Sequence, residues 1–141
     1  MKTLYSGGLV YDGNGNLQEN FGVLVEDKKI SNICPEADFE GFSDIKVDTS
    51  GCTILPGLID CHVHLVYGGE ADPKSSLLKL SPGQIVMNAL GNAQKTLRCG
   101  VTSIRDLGGR DFLEFAVRDA CNSGEQLGPT ILAAGKMICM T

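Results

Sequence analysis

Two histidines separated by a single residue, His62 and His64, carry the side chains best suited to chemistry. They are the two histidines of the sequence. They close a nearly continuous apolar run at residues 58–65, which is typical of a buried β-strand. Because side chains alternate along a strand, we expect both imidazoles on one face, a few ångströms apart. Imidazole nitrogens bind zinc and similar divalent ions, so the pair could hold one metal from two directions. Packing inside a core is the alternative role for a His-x-His pair.

The strand that carries this pair follows a strong turn signal, Pro56-Gly57, in which Pro fixes φ and Gly allows a positive φ. Simple alternation places Asp60 on the same face as the histidines, and Cys61 and Val63 on the other. Because the run contains few polar residues, we expect the strand to be covered on both faces.

After this strand, helical and extended segments alternate, which is the signature of βα units around a parallel sheet. The polar stretch 67–80 is expected to be a loop. Ser81, Pro82 and Gln84 form an N-cap, a first-turn proline and a capping box, and Gly100 is a suitable stop, which predicts a core-facing amphipathic helix. The elements predicted downstream are a strand at 101–107, a helix at 111–123 with Leu113, Ala116, Val117 and Ala120 inward, and a strand at 130–136.

Two charged residues, Arg105 and Asp106, lie near the carboxyl end of the strand predicted at 101–107, which is followed by a pair of glycines. In barrel enzymes this end of a strand carries the functional residues. We nevertheless expect an ion pair or a loop anchor here rather than a contact to a substrate.

Residues 1–55 differ in character, since short apolar stretches alternate with turn signals such as the glycine- and asparagine-rich segment 12–16. Residues 21–33 predict a hairpin with its turn at 26–29, and residues 44–48 alternate as in a half-buried strand. We expect a small antiparallel sheet or partial β-sandwich without chemistry of its own.

Two motifs connect these elements to a known family. The segment Pro56-Gly-Leu-Ile-Asp-x-His-x-His64 resembles the first barrel strand of the amidohydrolase superfamily, and Gly100-Val-Thr-Ser-Ile-Arg-Asp-Leu-Gly-Gly109 resembles the second. The next strand is similar to the branch near imidazolonepropionase and the Xaa-Pro dipeptidase-like hydrolases. The resemblance implies an incomplete β-sandwich-like domain at 1–55. It also implies that 56–141 holds the first three strands and two helices of a truncated (β/α)8 TIM-like barrel.

The same resemblance implies the function. The parent enzyme would be a hydrolase that uses a metal-activated water to cleave C–N bonds in a small amide, a cyclic amide or a dipeptide. A divalent metal, zinc in first place, would be held by His62 and His64. A deaminase of the same superfamily and a non-catalytic binding or structural module, in which the histidines only pack, are the alternatives.

The family completes its metal site with residues on later strands: a carboxylated lysine or glutamate, two further histidines and an aspartate base. Lys136 and Asp106 lie on the wrong strands for those roles, so no catalytic residue is assigned here and the substrate-binding residues stay unknown. Catalytic zinc usually has three protein ligands, and this chain offers two. We therefore expect the metal to be weakly bound or absent in the 141-residue chain, and the chain itself to be inactive.

Composition narrows the remaining choices. The formal charge is −5, from 12 basic and 17 acidic residues, without a basic stripe, which argues against nucleic acid or a membrane surface as partner. The N-terminus lacks the apolar core of a signal peptide, so we expect a cytoplasmic protein. The six cysteines show no CxxC spacing and predict reduced, mostly buried thiols. A partial barrel has an open sheet edge, so we also expect a homo-oligomer.

Overall fold

The computed structural model describes residues 1–42 and 44–136. The chain divides into two compact units, Met1–Pro56 and Gly57–Thr141. Within the described ranges, none of the helices is both long enough and apolar enough to cross a membrane.

The first unit is built from two small sheets. The larger sheet has the order β5-β4-β1-β6, with strands β1 (Lys2–Ser6), β4 (Phe21–Glu26), β5 (Lys29–Pro35) and β6 (Ile45–Asp48). The smaller sheet has the order β3-β2-β7, with strands β2 (Leu9–Tyr11), β3 (Leu17–Gln18) and β7 (Thr53–Ile54). Leu4, Val10 and Val23 are buried, and they form the apolar interior of this unit.

The hairpin predicted in this unit is confirmed, because β4 and β5 pair antiparallel around a turn at Asp27 and Lys28. Both turn residues have positive φ, 48° and 67°, as a two-residue hairpin turn of the primed type requires. The expectation of an antiparallel sheet is wrong in one respect. β6 runs parallel to β1, and β7 runs parallel to β2, so both sheets are mixed. Parallel neighbours need a long connection, and here residues 7–44 separate β1 from β6 and residues 12–52 separate β2 from β7.

The second unit is a parallel three-stranded sheet with the order β10-β9-β8 among its described residues. Its elements are β8 (Leu58–Val63), α1 (Pro73–Leu78), α2 (Pro82–Arg98), β9 (Val101–Asp106), α3 (Glu114–Asn122) and β10 (Thr130–Ala133). The predicted alternation of strands and helices is confirmed. A core of seven buried residues lies between the sheet and helices α2 and α3: Leu65, Ala89, Ala93, Ile104, Val117, Cys121 and Ile131.

Helix α2 begins and ends where its sequence signals predict. Ser81 and Gln84 form a reciprocal capping box, in which the Ser81 N–H donates to Gln84 Oε1 at 2.9 Å. Pro82 is the first helical residue, and Gly100 follows the helix with a φ of +86°. The left-handed conformation at Gly100 ends the helix without the steric penalty that a Cβ would bring.

Three details of the predicted elements are wrong. A short helix, α1, lies inside the stretch expected to be a loop, with Asp72 accepting a hydrogen bond from the Ser75 N–H at 3.2 Å as its cap. Helix α3 begins at Glu114 rather than at residue 111, and its buried residues are Glu114, Val117 and Cys121, whereas Ala116 is exposed. The last strand ends at Ala133, three residues before the predicted end.

The expected burial of the cysteines is also wrong for most of those described. Cys52, Cys61 and Cys99 are exposed, Cys34 is partly buried and Cys121 is buried. All five are unpaired. Cys139 lies outside the described residues.

Within residues 57–136, the sheet of the second unit is covered on one face only, which corrects the expectation for β8. Helices α2 and α3 pack on the face that carries Ile104 and Ile131. On the other face, Ile59 and Leu132 are 70% and 67% exposed. We call this the open face. It contains a largely apolar groove of about 370 Å³, lined in part by Ile59, Cys61, Ser103, Arg105 and Leu132.

Candidate metal-binding site

The histidine pair lies where strand β8 departs from regular pairing. Asp60 is opposite Ile104, and the next aligned pair is Val63 with Asp106. Two residues of β8, Cys61 and His62, therefore face a single residue of β9. This is a β-bulge, which adds one residue to one strand and redirects the side chains that follow.

The bulge changes the predicted alternation of side chains along β8. Cys61 lines the open face together with Ile59, as expected. Val63 does not share that face, because it packs against the core beneath helices α2 and α3. Asp60 bends back at this point, and its Oδ1 accepts a hydrogen bond from the His62 N–H at 3.0 Å. Simple period-two alternation fails here because the extra residue reverses the faces.

The two imidazoles lie side by side at the carboxyl end of β8. Their ring centroids are 5.5 Å apart, with the ring planes at 73°. His62 is exposed and His64 is partly buried. The Tyr67 ring lies on the other side of His64, at 5.8 Å between centroids.

One ring nitrogen of His64 is already occupied. Its Nδ1 lies 2.7 Å from the backbone carbonyl oxygen of Gly108. A carbonyl oxygen can only accept, so Nδ1 must carry the hydrogen and donate it. The neutral ring then has its lone pair on Nε2, which is the nitrogen left for a ligand. A backbone carbonyl that holds the second nitrogen is a common arrangement behind metal-binding histidines.

Gly108 is itself held in place by Asp106, the last residue of β9. Asp106 is fully buried, and its Oδ1 accepts from the Gly108 N–H at 2.7 Å. Its Oδ2 accepts from the Leu65 N–H at 2.9 Å. One carboxylate thus ties the turn after β9 to the residue that follows His64. Of the two roles expected for this position, the structure places Asp106 as a loop anchor.

Arg105 forms a backbone contact rather than an ion pair with its neighbour. Its Nε donates to the Cys61 carbonyl oxygen at 2.8 Å, across the bulge of β8. Among the salt bridges of the described residues, none includes Arg105 or Asp106.

The donor chemistry of the histidine pair fits a divalent metal. With zinc about 2.1 Å from one nitrogen of each ring and a tetrahedral angle between them, two imidazole centroids would lie roughly 5 Å apart. The observed separation of 5.5 Å is close to this value. Within residues 1–42 and 44–136, no group of three His, Cys, Asp or Glu side chains could hold a metal. Among the described residues, the pair therefore offers two neighbouring nitrogen donors without a third candidate ligand beside them.

Comparison with known proteins identifies the family of the chain. The model of the Amidohydrolase family matches residues 53–141. The chain is 30% identical to the ochratoxinase of Aspergillus niger over 144 residues, which is 99% of this chain and 29% of that protein. The chain belongs to the amidohydrolase family, and the resemblance inferred from its motifs is confirmed.

Solved structures of hydrolases also resemble this chain. The chain superposes on molinate hydrolase with a TM-score of 0.85 and 30% identity, over 99% of this chain and 31% of that one. It superposes on a Xaa-Pro dipeptidase with bound methionine with a TM-score of 0.83 and 30% identity, over 98% of this chain and 34% of that one. The chain thus spans about a third of the length of these relatives or less.

The sequence predicts the two histidines as site residues, but it does not predict the backbone carbonyl groups that form hydrogen bonds around them. The Gly108 carbonyl and the Cys61 carbonyl are backbone atoms, which carry no residue-type signal. The available signal was the Arg105-Asp106 pair at a strand end, since a buried charge next to a glycine turn often anchors backbone N–H groups.

Proposed function

We propose that this chain is the N-terminal part of a metal-dependent hydrolase that acts on C–N bonds. In this proposal residues 1–55 open a small β-sandwich-like domain, and residues 56–141 form the first three strands and two helices of a (β/α)8 barrel. The substrate class is a small amide, a cyclic amide or a dipeptide. Family membership supports the reaction class, and the names of the relatives support small molecules as substrates.

The observation that carries the proposal is the orientation of His64. Its Nδ1 donates to Gly108, which leaves Nε2 as the free donor, and the His62 ring lies beside it with centroids 5.5 Å apart. Two imidazoles at this separation suit a single divalent ion, with zinc as the first choice. His62 and His64 are therefore proposed as the metal ligands of this chain.

His62 and His64 would hold the divalent metal, which would supply Lewis-acid chemistry for a substrate carbonyl and for a water nucleophile near neutral pH. His62 and His64 would bind it as neutral rings. Asp106 and Gly108 keep the His64 ring in one tautomer and one orientation. None of these residues is placed to take a proton from water, so no general base is assigned within this chain.

The same proposal predicts that the 141-residue chain does not turn over substrate by itself. Catalytic zinc is usually held by three protein ligands, and a base must accept the proton of the attacking water. The described residues supply two ligands. We propose further that the protein is cytoplasmic, has no nucleic-acid or membrane partner, and forms a homo-oligomer through the exposed sheet edge.

Zinc titration of the chain labelled with ¹⁵N at histidine tests the ligand assignment. The His62 and His64 ring resonances are expected to shift together, reaching a plateau at one zinc per chain, and His62→Gln should weaken the response of His64. Reading the ring nitrogens separates this event from zinc bound at the exposed thiols. A folded chain whose two rings ignore zinc would refute the assignment and favour a module in which the histidines only pack.

An activity assay tests the second half of the proposal. The zinc-supplemented chain should leave Xaa-Pro dipeptides and cyclic amides unchanged. Hydrolysis at metalloenzyme rates, abolished by His64→Gln, would show that this chain contains a complete site and would overturn the proposed division of the ligands.

A further inference from the structure

The bulge in strand β8 interrupts the hydrogen-bond ladder, so backbone groups at the bulge need partners other than the backbone of β9. In a parallel sheet, carbonyl oxygens of one strand accept from N–H groups of the next at even spacing. Here Cys61 and His62 together face one residue of β9, so the ladder is interrupted between Asp60 and Val63. An extra residue of this kind leaves its backbone groups without ladder partners.

Arg105 supplies the missing partner for one of those groups. It is the β9 residue directly opposite the bulge, and its Nε donates to the Cys61 carbonyl oxygen at 2.8 Å. The Arg105 side chain lies on the open face and lines the groove there. The two residues, Cys61 and Arg105, are 44 positions apart in the chain, so this hydrogen bond is a tertiary contact between two strands.

The bonded carbonyl belongs to the peptide unit that includes the His62 nitrogen. The same peptide is bound from its other side, since the His62 N–H donates to Asp60 Oδ1 at 3.0 Å. With the carbonyl held by Arg105 and the N–H held by Asp60, this peptide plane has little freedom to rotate. The direction of the His62 side chain follows from that plane.

We propose that Arg105 is a positioning residue for His62, because its hydrogen bond to Cys61 fixes the bulged peptide from which the His62 ring projects. This inference rests on the proposed metal site for its functional meaning, but the positioning itself does not require a metal. Two consecutive residues of β9 then each position one of the two histidines. Arg105 orients His62 from the open face, while Asp106 orients His64 through Gly108 from the buried face.

Two variants of Arg105 separate the effect of its hydrogen-bond donor from the effect of its charge. In Arg105→Gln, the amide nitrogen sits at the same number of bonds from Cα as the arginine Nε, so the donor is kept while the charge is lost. In Arg105→Met, a methyl group takes the position of the arginine Nε, so the donor is lost. Arg98→Met serves as the control, because Arg98 is exposed in the last turn of α2 and the change in charge is the same.

Two measurements on the 141-residue chain are needed, one without metal and one with zinc. Without metal, Arg105→Met is expected to shift the Cys61 carbonyl carbon and the His62 ring resonances while leaving those of His64 in place. Arg105→Gln and Arg98→Met should resemble the wild type. With zinc, Arg105→Met should bind about tenfold more weakly, as is usual when a ligand loses its outer support, and Arg105→Gln within about twofold of wild type.

The outcomes separate the possible explanations. Wild-type His62 resonances and zinc affinity in Arg105→Met would overturn the proposal. If Arg105→Gln loses as much affinity as Arg105→Met, the arginine acts through its charge, and the positioning role fails. If the wild type binds no zinc at the rings but Arg105→Met still moves the His62 resonances, the positioning role stands and the proposed metal function fails. An amide spectrum of each variant confirms that the fold is unchanged.

Discussion

A single carboxylate, Asp106, connects the two loops that border the histidine pair. It is fully buried and accepts one N–H from the turn after β9 and one from the segment after β8. Hydrogen bonds between a buried carboxylate and backbone N–H groups are short and strong because the acceptor is charged. Removing one acceptor leaves a buried donor without a partner, and that loss outweighs the average value of a hydrogen bond.

We therefore predict that Asp106→Asn destabilises the chain by about 1–3 kcal/mol. An amide has one acceptor oxygen, so either the Leu65 N–H or the Gly108 N–H would face an NH₂ group. The free energy of unfolding in urea measures the effect, and the His64 ring nitrogens should lose their single tautomer. Asp119→Asn is the control, since Asp119 is exposed and pairs with its neighbour Arg118. Equal stability of the two variants would contradict the anchoring role.

Glu114 presents a different situation at the same strand end. It is fully buried at the start of α3, and neither of its carboxyl oxygens has a hydrogen-bond partner among the described residues. A Cβ added to Gly109 would come within 2.6 Å of Glu114 Oε2, so the glycine provides the space for this side chain. Burial raises the pKa of the Glu114 carboxyl, and the neighbouring Asp106 carboxylate raises that pKa further.

This shift predicts a pH dependence of stability with a definite sign. The folded state holds the Glu114 proton more tightly than the unfolded state does. The protonated side chain therefore contributes fully to the free energy of unfolding below the ordinary glutamate pKa. This contribution is lost as pH rises through the higher folded value. Glu114→Gln should remove this loss and be more stable than wild type at about pH 8, on the order of 1 kcal/mol, with little difference at about pH 4.

Urea unfolding at the two pH values gives the difference between variant and wild type, so that other titrating groups cancel. Glu125→Gln, at an exposed position after α3, is the matched control. If Glu114→Gln is less stable than wild type at the higher pH, a partner stabilises the buried carboxylate, and the predicted penalty for its charge is wrong.

At the scale of elements, helix α2 tests how far backbone conformation alone decides stability. Gly91 lies inside the helix, and a Cβ built there meets nothing within 4 Å. Gly100 follows the helix with an equally open surrounding but a φ of +86°. The two positions therefore share the same chemical change and the same free space, and they differ in backbone conformation.

Gly91→Ala is predicted to stabilise the chain by about 0.5–1 kcal/mol, because glycine loses more conformational freedom in a helix than alanine does. Gly100→Ala is predicted to destabilise it by roughly 1 kcal/mol, because an L side chain is strained in the left-handed region. Thermal or urea unfolding of both variants provides the comparison. Two changes of the same sign would show that packing, rather than φ, controls these sites.

The elements also show which features a sequence can predict. Helix α2 was predictable because Ser81, Gln84 and Gly100 act locally, through hydrogen bonds and φ preferences that do not depend on the rest of the fold. The bulge at Cys61 was not, because it depends on the register of β8 against β9, a partner about 40 positions away. The inward face predicted for α3 differs from the observed one by one residue, since an apolar pattern does not predict a buried Glu114. Helix α1 contradicts the loop predicted there, although its Asp-Pro start is a recognisable cap signal.

At the scale of the whole molecule, the open face is the feature with consequences for association. Ile59 and Leu132 are 70% and 67% exposed on the same side of the sheet. Strands β8 and β10 are the edges of this sheet among the described strands, and an edge presents unpaired N–H and C=O groups. An apolar face flanked by free edges favours contact with another apolar face, because both lose water on association.

The last prediction concerns self-association through this surface. The wild-type chain is expected to form larger species as its concentration rises in sedimentation velocity or light scattering. Ile59→Lys combined with Leu132→Lys should shift the chain towards the monomer, because two charges on the open face would have to be desolvated at the contact. Leu78→Lys combined with Leu127→Lys adds the same charges at residues that are 74% and 64% exposed in α1 and in the loop after α3, and it should leave association unchanged. A wild-type chain that stays monomeric at the highest concentration reached would refute association through the sheet, and an equal response to both double variants would show that net charge rather than the open face controls it.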